Sequence, residues 1–436
     1  MVRSIVKFCI DFFLACWIGS PRYYAWLAFL GFFIALMAIG SIEQAFKGLI
    51  VTGLSDQISD GLYLSNFVFL VGVAAAAVTV VFPAYIYNRK DMKDVVVLGE
   101  MLAISAVSMC MLFILLHMGR PDRLWHMIPG WVPLPYLHGI FNWPNSVLNS
   151  DVIVLNGYLF LNFVCAFYYL YQKYMGKEVN KYFYMPLVYI AIVWALSIHT
   201  VTAFLLNTLA ARSMWHHSVL PIKFISTAFA AGPALIIVAF TVIKKSTDFK
   251  IPDSVFNLLS QIVVWCLGIA LFLMLSEIVT ELYSPTEHAN GLIYLMLGKH
   301  GLTRLVPWFW ASFVLMWGSF ILLLIPKVRK NLNILPIICL AAFFGIWIEK
   351  GMGLLLPGYI PTPVGEFTEY YPTLLEVICT IGVWAFGLMM FSMLLKASVA
   401  IKTGKMRYEE PAFEEPKKEQ YFDPDLKLNR TMGKKE

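Results

Sequence analysis

The sequence predicts an all-α polytopic membrane protein of about ten transmembrane helices. Three observations carry that expectation. Hydrophobic residues fill 59% of the 436 positions and charged residues only 14%, more apolar surface than a soluble core can hide. Runs of about twenty apolar residues recur at short intervals, each long enough to cross a hydrocarbon layer of roughly 30 Å as a helix. The polar alternation of a transmembrane barrel is absent.

Residues 1–23 form the first segment. Lys7 and Asp11 interrupt its apolar run and no small-residue cleavage site precedes Pro21, so it reads as a retained amphipathic helix at the cytoplasmic interface rather than a signal peptide. Hydropathy then places spans at 24–50, 62–87, 95–118, 151–171, 181–207, 221–243, 254–282, 306–326, 332–355 and 371–400. The first five spans occupy 24–207 and the last five 208–400. Residues 401–436 are charged and carry Pro411, Pro416 and Pro424, the composition of a cytoplasmic tail that builds no core of its own. Helices two to five and six to nine share a spacing, but their side chains match too weakly to establish a duplication.

Ten crossings put both termini on one side. That side carries three basic residues in each of five segments, beginning with Arg3, Lys7 and Arg22 and ending with Lys327, Arg329 and Lys330. The other side carries eight: Lys47, Arg120, Arg123, Arg212, Lys223, Lys299, Arg304 and Lys350. Fifteen against eight makes the termini cytoplasmic by the positive-inside rule. The net charge of +6 therefore reads as topology, not as a footprint for nucleic acid. The seven cysteines all lie in apolar stretches, never as CxxC, CxxCH or a ferredoxin-like run, and predict no iron–sulfur cluster or c-type haem in this chain.

With that orientation, all eight histidines fall at outer helix ends or in outer loops, with Asp122, Asp151, Glu277, Glu281 and Glu376 among the acids beside them. A half-membrane so rich in titratable groups suits proton-coupled redox or proton release, although outer loops are also simply polar. The densest cluster runs from Leu116 to His126. Gly119 and Pro121 stop the third span there, and Arg120, Asp122 and Arg123 present a charged corner beside His117. Such a corner suits a quinone headgroup, whose carbonyls exchange hydrogen bonds and protons on reduction; it also suits a helix stop with snorkelling arginines.

The second cluster holds His199 about two turns inside the fifth span, where it is expected to face the protein interior and have a partner, followed by Trp215, His216 and His217. His117 and His199 are also one possible haem pair. The third is the i, i+4 carboxylate pair Glu277 and Glu281, read either as a proton path or as a structural hydrogen bond. Asn66 is read as a donor to a quinone carbonyl or, more simply, as an interhelical hydrogen bond. Glu100 is the acid of the inner half, read as snorkelling to the inner surface or as the mouth of a proton path. The loop 129–145, rich in aromatics and proline, reads as an interfacial belt, a lid or a platform for another subunit.

At these residues the chain resembles the NrfD/PsrC-like family, the quinone-interacting membrane subunits of polysulfide reductase and related respiratory complexes. The resemblance rests on GLYLSNFVFLVGVAAAA at 61–77, LHMGRPDRLWHMI at 116–128, IHTVTAF at 198–204 and SMWHHSVLPIKFISTAFAAG at 213–232. It implies two four-helix bundles plus two extra helices in a prokaryotic cytoplasmic membrane. It implies a menaquinone or other quinone as substrate near the outer surface in the first bundle, and no redox cofactor in this chain. Electrons would pass to a periplasmic iron–sulfur subunit on the outer loops, beside other membrane and cytoplasmic subunits of a complex linked to sulfur or sulfite metabolism. The quinone role carries onto His117, Arg120, Asp122 and His199, and more weakly onto Asn66 and Trp215, with Glu100, Glu277 and Glu281 as proton-path candidates. The competing class is a secondary transporter whose acids and histidines couple protons to a solute.

Overall fold

The computed structural model describes residues 2–127, 147–212, 214–283 and 286–408. Among them, ten helical segments are long and apolar enough to cross a membrane. The loop 129–145 and the tail beyond residue 408 lie outside the described residues.

Helix α1 (Val2–Trp17) is amphipathic: Ser4, Phe8, Phe12 and Cys16, four residues apart, form its buried stripe. Phe12 meets Phe167 with ring centroids 5.1 Å apart, while Ile5, Ile10, Phe13 and Trp17 face outward. The spans follow as α2 (Pro21–Lys47), α3 (Leu62–Tyr85), α4 (Val96–His117), α5 (Val147–Tyr174), α6 (Lys181–Asn207), α7 (Leu220–Ser246) and α8 (Asp253–Tyr283). After the short α9 (Asn290–Leu297) come α10 (Val306–Leu324), α11 (Leu335–Lys350) and α12 (Leu374–Lys402). Each starts and stops within a few residues of the hydropathy expectation. The caps set the N-terminal ends: Ser20 accepts from the Tyr23 amide ahead of Pro21, and Thr373 with Glu376 closes a reciprocal capping box on α12.

Helix contacts close on themselves twice. In sequence order α3, α4, α5 and α6 pack each on the next, and α6 returns to α3; α7, α8, α10 and α11 do the same, with α11 returning to α7. Helix α7 joins the two circuits by packing along α3 and α6. Helix α2 pairs with α12, which lies against α3 and α4.

The join rests on small side chains. Helix α3 is almost wholly buried, broken for one residue at Ala75. A Cβ placed on Gly232 of α7 would stand 2.8 Å from the Ala76 backbone, and one on Gly72 would stand 3.5 Å from Ala228 and 3.1 Å from the Lys350 Nζ. Without a hydrophobic drive between helices in lipid, such close backbone approach supplies the packing attraction.

The end holding the termini is laced by ion pairs: Lys402 reaches Asp94 at 3.4 Å and Lys405 reaches Asp248 at 2.8 Å. Two basic residues counted on the opposite side are not exposed there. Lys223 lies inside α7 and Lys350 ends α11, both buried, because each is held by groups inside the protein.

Gly232→Leu is expected to force the α3/α7 crossing apart and cost on the order of 1–3 kcal/mol or more, read as a lowered melting temperature in detergent. Gly318→Leu, where nothing lies within 4 Å of the added Cβ, is expected to change little. Equal melting of both variants would show that the crossing does not depend on its glycine.

Candidate functional site

Helix α4 stops at His117 because Met118 turns to an extended backbone ahead of Gly119 and Pro121. Beyond it Arg120 and Asp122 form a planar fork, Nε to Oδ1 at 2.9 Å and Nη2 to Oδ2 at 2.8 Å, both well exposed. The Arg120 guanidinium hydrogen-bonded to Asp122 holds that carboxyl below the usual carboxylate range. The fork caps an open groove between α2 and α4 of about 520 Å³. Its walls are apolar, Met37, Ala45, Leu112 and Leu115, and its polar end is Gln44, Arg120 and Asp122. Gln44 crosses the groove to donate to the Leu116 carbonyl at 2.5 Å and accepts from the Tyr63 hydroxyl at 3.0 Å.

His117 does not join the fork. Its Nε2 lies 2.9 Å from Asp60 Oδ1, and Asp60 Oδ2 accepts from the Tyr359 hydroxyl. The carboxylate fixes the tautomer with hydrogen on Nε2, which leaves Nδ1 as a base; that atom is buried with no hydrogen-bond partner among the described residues. Tyr359 in turn packs edge-on against Trp215 at 5.1 Å, and the Arg212 guanidinium stands 4.4 Å from the Tyr359 ring centre. Trp215 donates its Nε1 to the Leu354 carbonyl at 2.9 Å, so its one polar atom is already used.

The loop carrying Asp60 is pinned by Glu376, fully buried at the start of α12. That carboxylate accepts from the Gly53 amide at 2.8 Å, the Thr373 amide at 2.9 Å and the Tyr370 hydroxyl at 2.6 Å. Tyr370 also accepts from the Leu62 amide at 2.9 Å, satisfying an orphan donor at the first turn of α3. A Cβ on Gly53 would stand 1.8 Å from the Tyr371 carbonyl oxygen, so only glycine lets the loop pass.

Asn66 is fully buried and its amide oxygen accepts from two indoles, Trp347 at 3.0 Å and Trp384 at 2.9 Å, while its Nδ2 donates to the Leu62 carbonyl at 2.8 Å. The interhelical reading of this residue is the one the geometry carries. His199 is buried as expected, edge-on to Phe229 at 6.3 Å. Its expected partner is missing among the described residues: neither ring nitrogen has a hydrogen bond. Glu277 pairs with Lys223 at 2.9 Å, and Glu281 lines the adjoining cavity with His217 and His288. Burial pushes the His217 imidazole down, partly opposed by Glu277. Glu100 corrects the snorkelling expectation: it is 3% exposed, because α3 and α5 pack along α4 where sequence alone allowed an open face.

The structure thus gathers His117 and Trp215 around Asp60 and Tyr359, sets Arg120 and Asp122 at the mouth of the α2/α4 groove, and keeps Asn66, His199, Glu100 and the Glu277 pair elsewhere. Asp60, Tyr359, Lys223 and Lys350 were missed by sequence reasoning. Asp60 looks no different from Asp56 in the same loop, and both lysines look like ordinary span-end charges until the helices are packed.

Residues 50–362 match the family described as "Polysulphide reductase, NrfD". The chain belongs to the NrfD family. Three relatives resemble it over most of their length. A selenate reductase subunit of Mesobacillus selenatarsenatis is 22% identical over 83% of this chain and 90% of its own. A putative dimethyl sulfoxide reductase membrane subunit of Halobacterium salinarum is 23% identical over 82% and 88%. An Hdr-like menaquinol oxidoreductase integral membrane subunit of Archaeoglobus fulgidus is 20% identical over 85% and 92%. The NrfD match covers α3 to α11 and leaves out α1, α2 and α12, so one wall of the groove and the Glu376 anchor lie outside the matched segment.

Asn66→Ala strands two indole donors and is expected to cost about 1–3 kcal/mol of stability per buried group left unpaired, measured by thermal unfolding in detergent. Unchanged unfolding together with loss of bound quinone would return Asn66 to a ligand role.

Proposed function

We propose that this NrfD-family chain is the quinone-interacting membrane subunit of a respiratory complex, exchanging electrons between menaquinol or ubiquinol and a periplasmic iron–sulfur subunit. Its termini face the cytoplasm of a prokaryotic cell, and its outer end is the one carrying His117. With ten spans and a charged tail it is of the DsrP type, the membrane subunit of the sulfite-linked DsrMKJOP complex, or of the neighbouring HmcC type.

The observation that carries this reading is the α2/α4 groove: apolar along most of its length, charged at its mouth, and lined by Leu116 and Met118 on either side of His117 in the chain. An isoprenoid chain suits the apolar walls, and a headgroup at the mouth meets Gln44, Arg120 and Asp122. His117, held by Asp60, takes a proton on Nδ1, and the carboxylate stabilises the imidazolium that results. Asp122, kept ionised by Arg120, orients the guanidinium rather than serving as a base. The relatives named as parts of selenate and dimethyl sulfoxide reductases, and as an integral membrane part of a menaquinol oxidoreductase, support assembly with other subunits.

His117→Ala and Asp122→Asn in the assembled complex are expected to lower quinol oxidation, the first by about 100-fold or more, with membrane insertion intact. The purified complex is expected to yield stoichiometric quinone on lipid extraction. A competent preparation with no quinone, or normal turnover in both variants, would remove the assignment and leave a proton-coupled transporter as the better reading. Shortening the loop 129–145 is expected to release the periplasmic subunit on native gels; retention of every subunit would make that loop an interfacial belt.

A further inference from the structure

Quinone chemistry at the α2/α4 groove leaves a buried charge cluster in the second circuit unused. Lys223 of α7 sits between Glu277 of α8 at 2.9 Å and Glu349 of α11 at 2.8 Å, with the three side chains 9, 17 and 11% exposed. Two carboxylates share one ammonium, and Glu349 Oε2 is buried with no hydrogen bond among the described residues. Two cavities meet at this cluster. One is lined by Lys223, Glu277, Glu349 and Ser312. The other runs past Lys223 and Glu277 to Glu281, His217 and His288 at the end opposite the termini.

Next along α11, Lys350 points between the two circuits. It is 2% exposed, its Nζ lies 3.3 Å from the Phe224 carbonyl and 4.3 Å from the Phe224 ring centre, and among the described residues no carboxylate is within ion-pair distance. Gly72 leaves it room, since a Cβ there would stand 3.1 Å from the Nζ.

A structural ion triad would satisfy its oxygens. This one carries one positive charge against two negative ones in a low-dielectric setting, where an uncompensated ion costs several kcal/mol and a shared proton removes the excess. We propose that Lys223, Glu277 and Glu349 form a proton-exchange site open to the end opposite the termini through Glu281, His217 and His288. A proton taken up by the Glu349 carboxylate crosses to Glu277 by exchange at Lys223, whose ammonium gives one proton to Glu277 and takes one from Glu349, and the Glu277 carboxylic acid releases it into the cavity at Glu281. Each step breaks one N–H or O–H bond and forms another, and no electron moves. The proposal rests on the quinone reading only for the origin of the proton that reaches Glu349.

The test is infrared difference spectroscopy of the intact complex after a pH jump, without quinone, followed by a quinol pulse in vesicles carrying a pH dye. The wild type is expected to show a protonated-carboxyl band that Glu349→Gln removes, a variant that keeps a hydrogen bond for Lys223. After the pulse, the delay between electron transfer and proton appearance is expected to lengthen about 100-fold in Glu349→Gln. A wild-type band and a wild-type delay in Glu349→Gln would overturn the exchange site. A band that Glu349→Gln removes in a complex unable to oxidise quinol would keep the exchange site and discard the quinone reading.

Discussion

The crossing of α3 and α7 is the constraint on which the rest of the structure depends. In a bilayer the lipid chains solvate leucine as well as another helix does, so two circuits of helices stay together only where backbones approach closely enough for dispersion and hydrogen bonds to act. Ala76 against Gly232 and Gly72 against Ala228 provide that approach. The same absence of side-chain bulk opens the space that Lys350 occupies between the circuits. A larger residue at 72 would close it.

Around that crossing, hydrogen bonds fix what packing alone leaves free to slide. Asn66 ties α3 to α11 and α12 through two indoles. Glu376 does the same at the end opposite the termini, where one carboxylate holds the Gly53 amide, the α12 cap and, through Tyr370, the first turn of α3. The position of Asp60, and so the tautomer of His117, follows from this anchor 316 residues further along the chain. The α2/α12 pair, outside the segment matched to the family, therefore acts on the candidate site twice, as a groove wall and as the support of its acid.

The spans were legible because a run of about twenty apolar residues has few alternatives in a chain this hydrophobic. The corner at 117–122 was legible because Gly119 and Pro121 punctuate it, and Arg120 pairs with Asp122 two residues away. What lay beyond reach depends on contacts between distant segments. His117 meets an acid from the loop before α3, Glu277 meets a lysine from the preceding span, and Asn66 meets tryptophans from the last two spans. Glu100 failed for the same reason: one helix read alone offers a face to the inner surface, and only packed neighbours show that the face is covered.

The buried polar groups then separate into two kinds. Asn66, Trp215 and Glu376 have their hydrogen bonds made, and each joins elements that would otherwise drift; their burial repays its desolvation in geometry. His199, Glu349 and the Nδ1 of His117 are buried with an unmade bond, which costs on the order of 1–3 kcal/mol for each group and returns nothing to the static fold. A chain that holds its helices together with satisfied groups has no structural need of unsatisfied ones. Among the described residues the second kind also includes Ser65, Tyr158, Trp317 and Thr380, in α3, α5, α10 and α12, so an unmade bond singles out a residue only where, as at His117 and Glu349, it stands beside an ion pair.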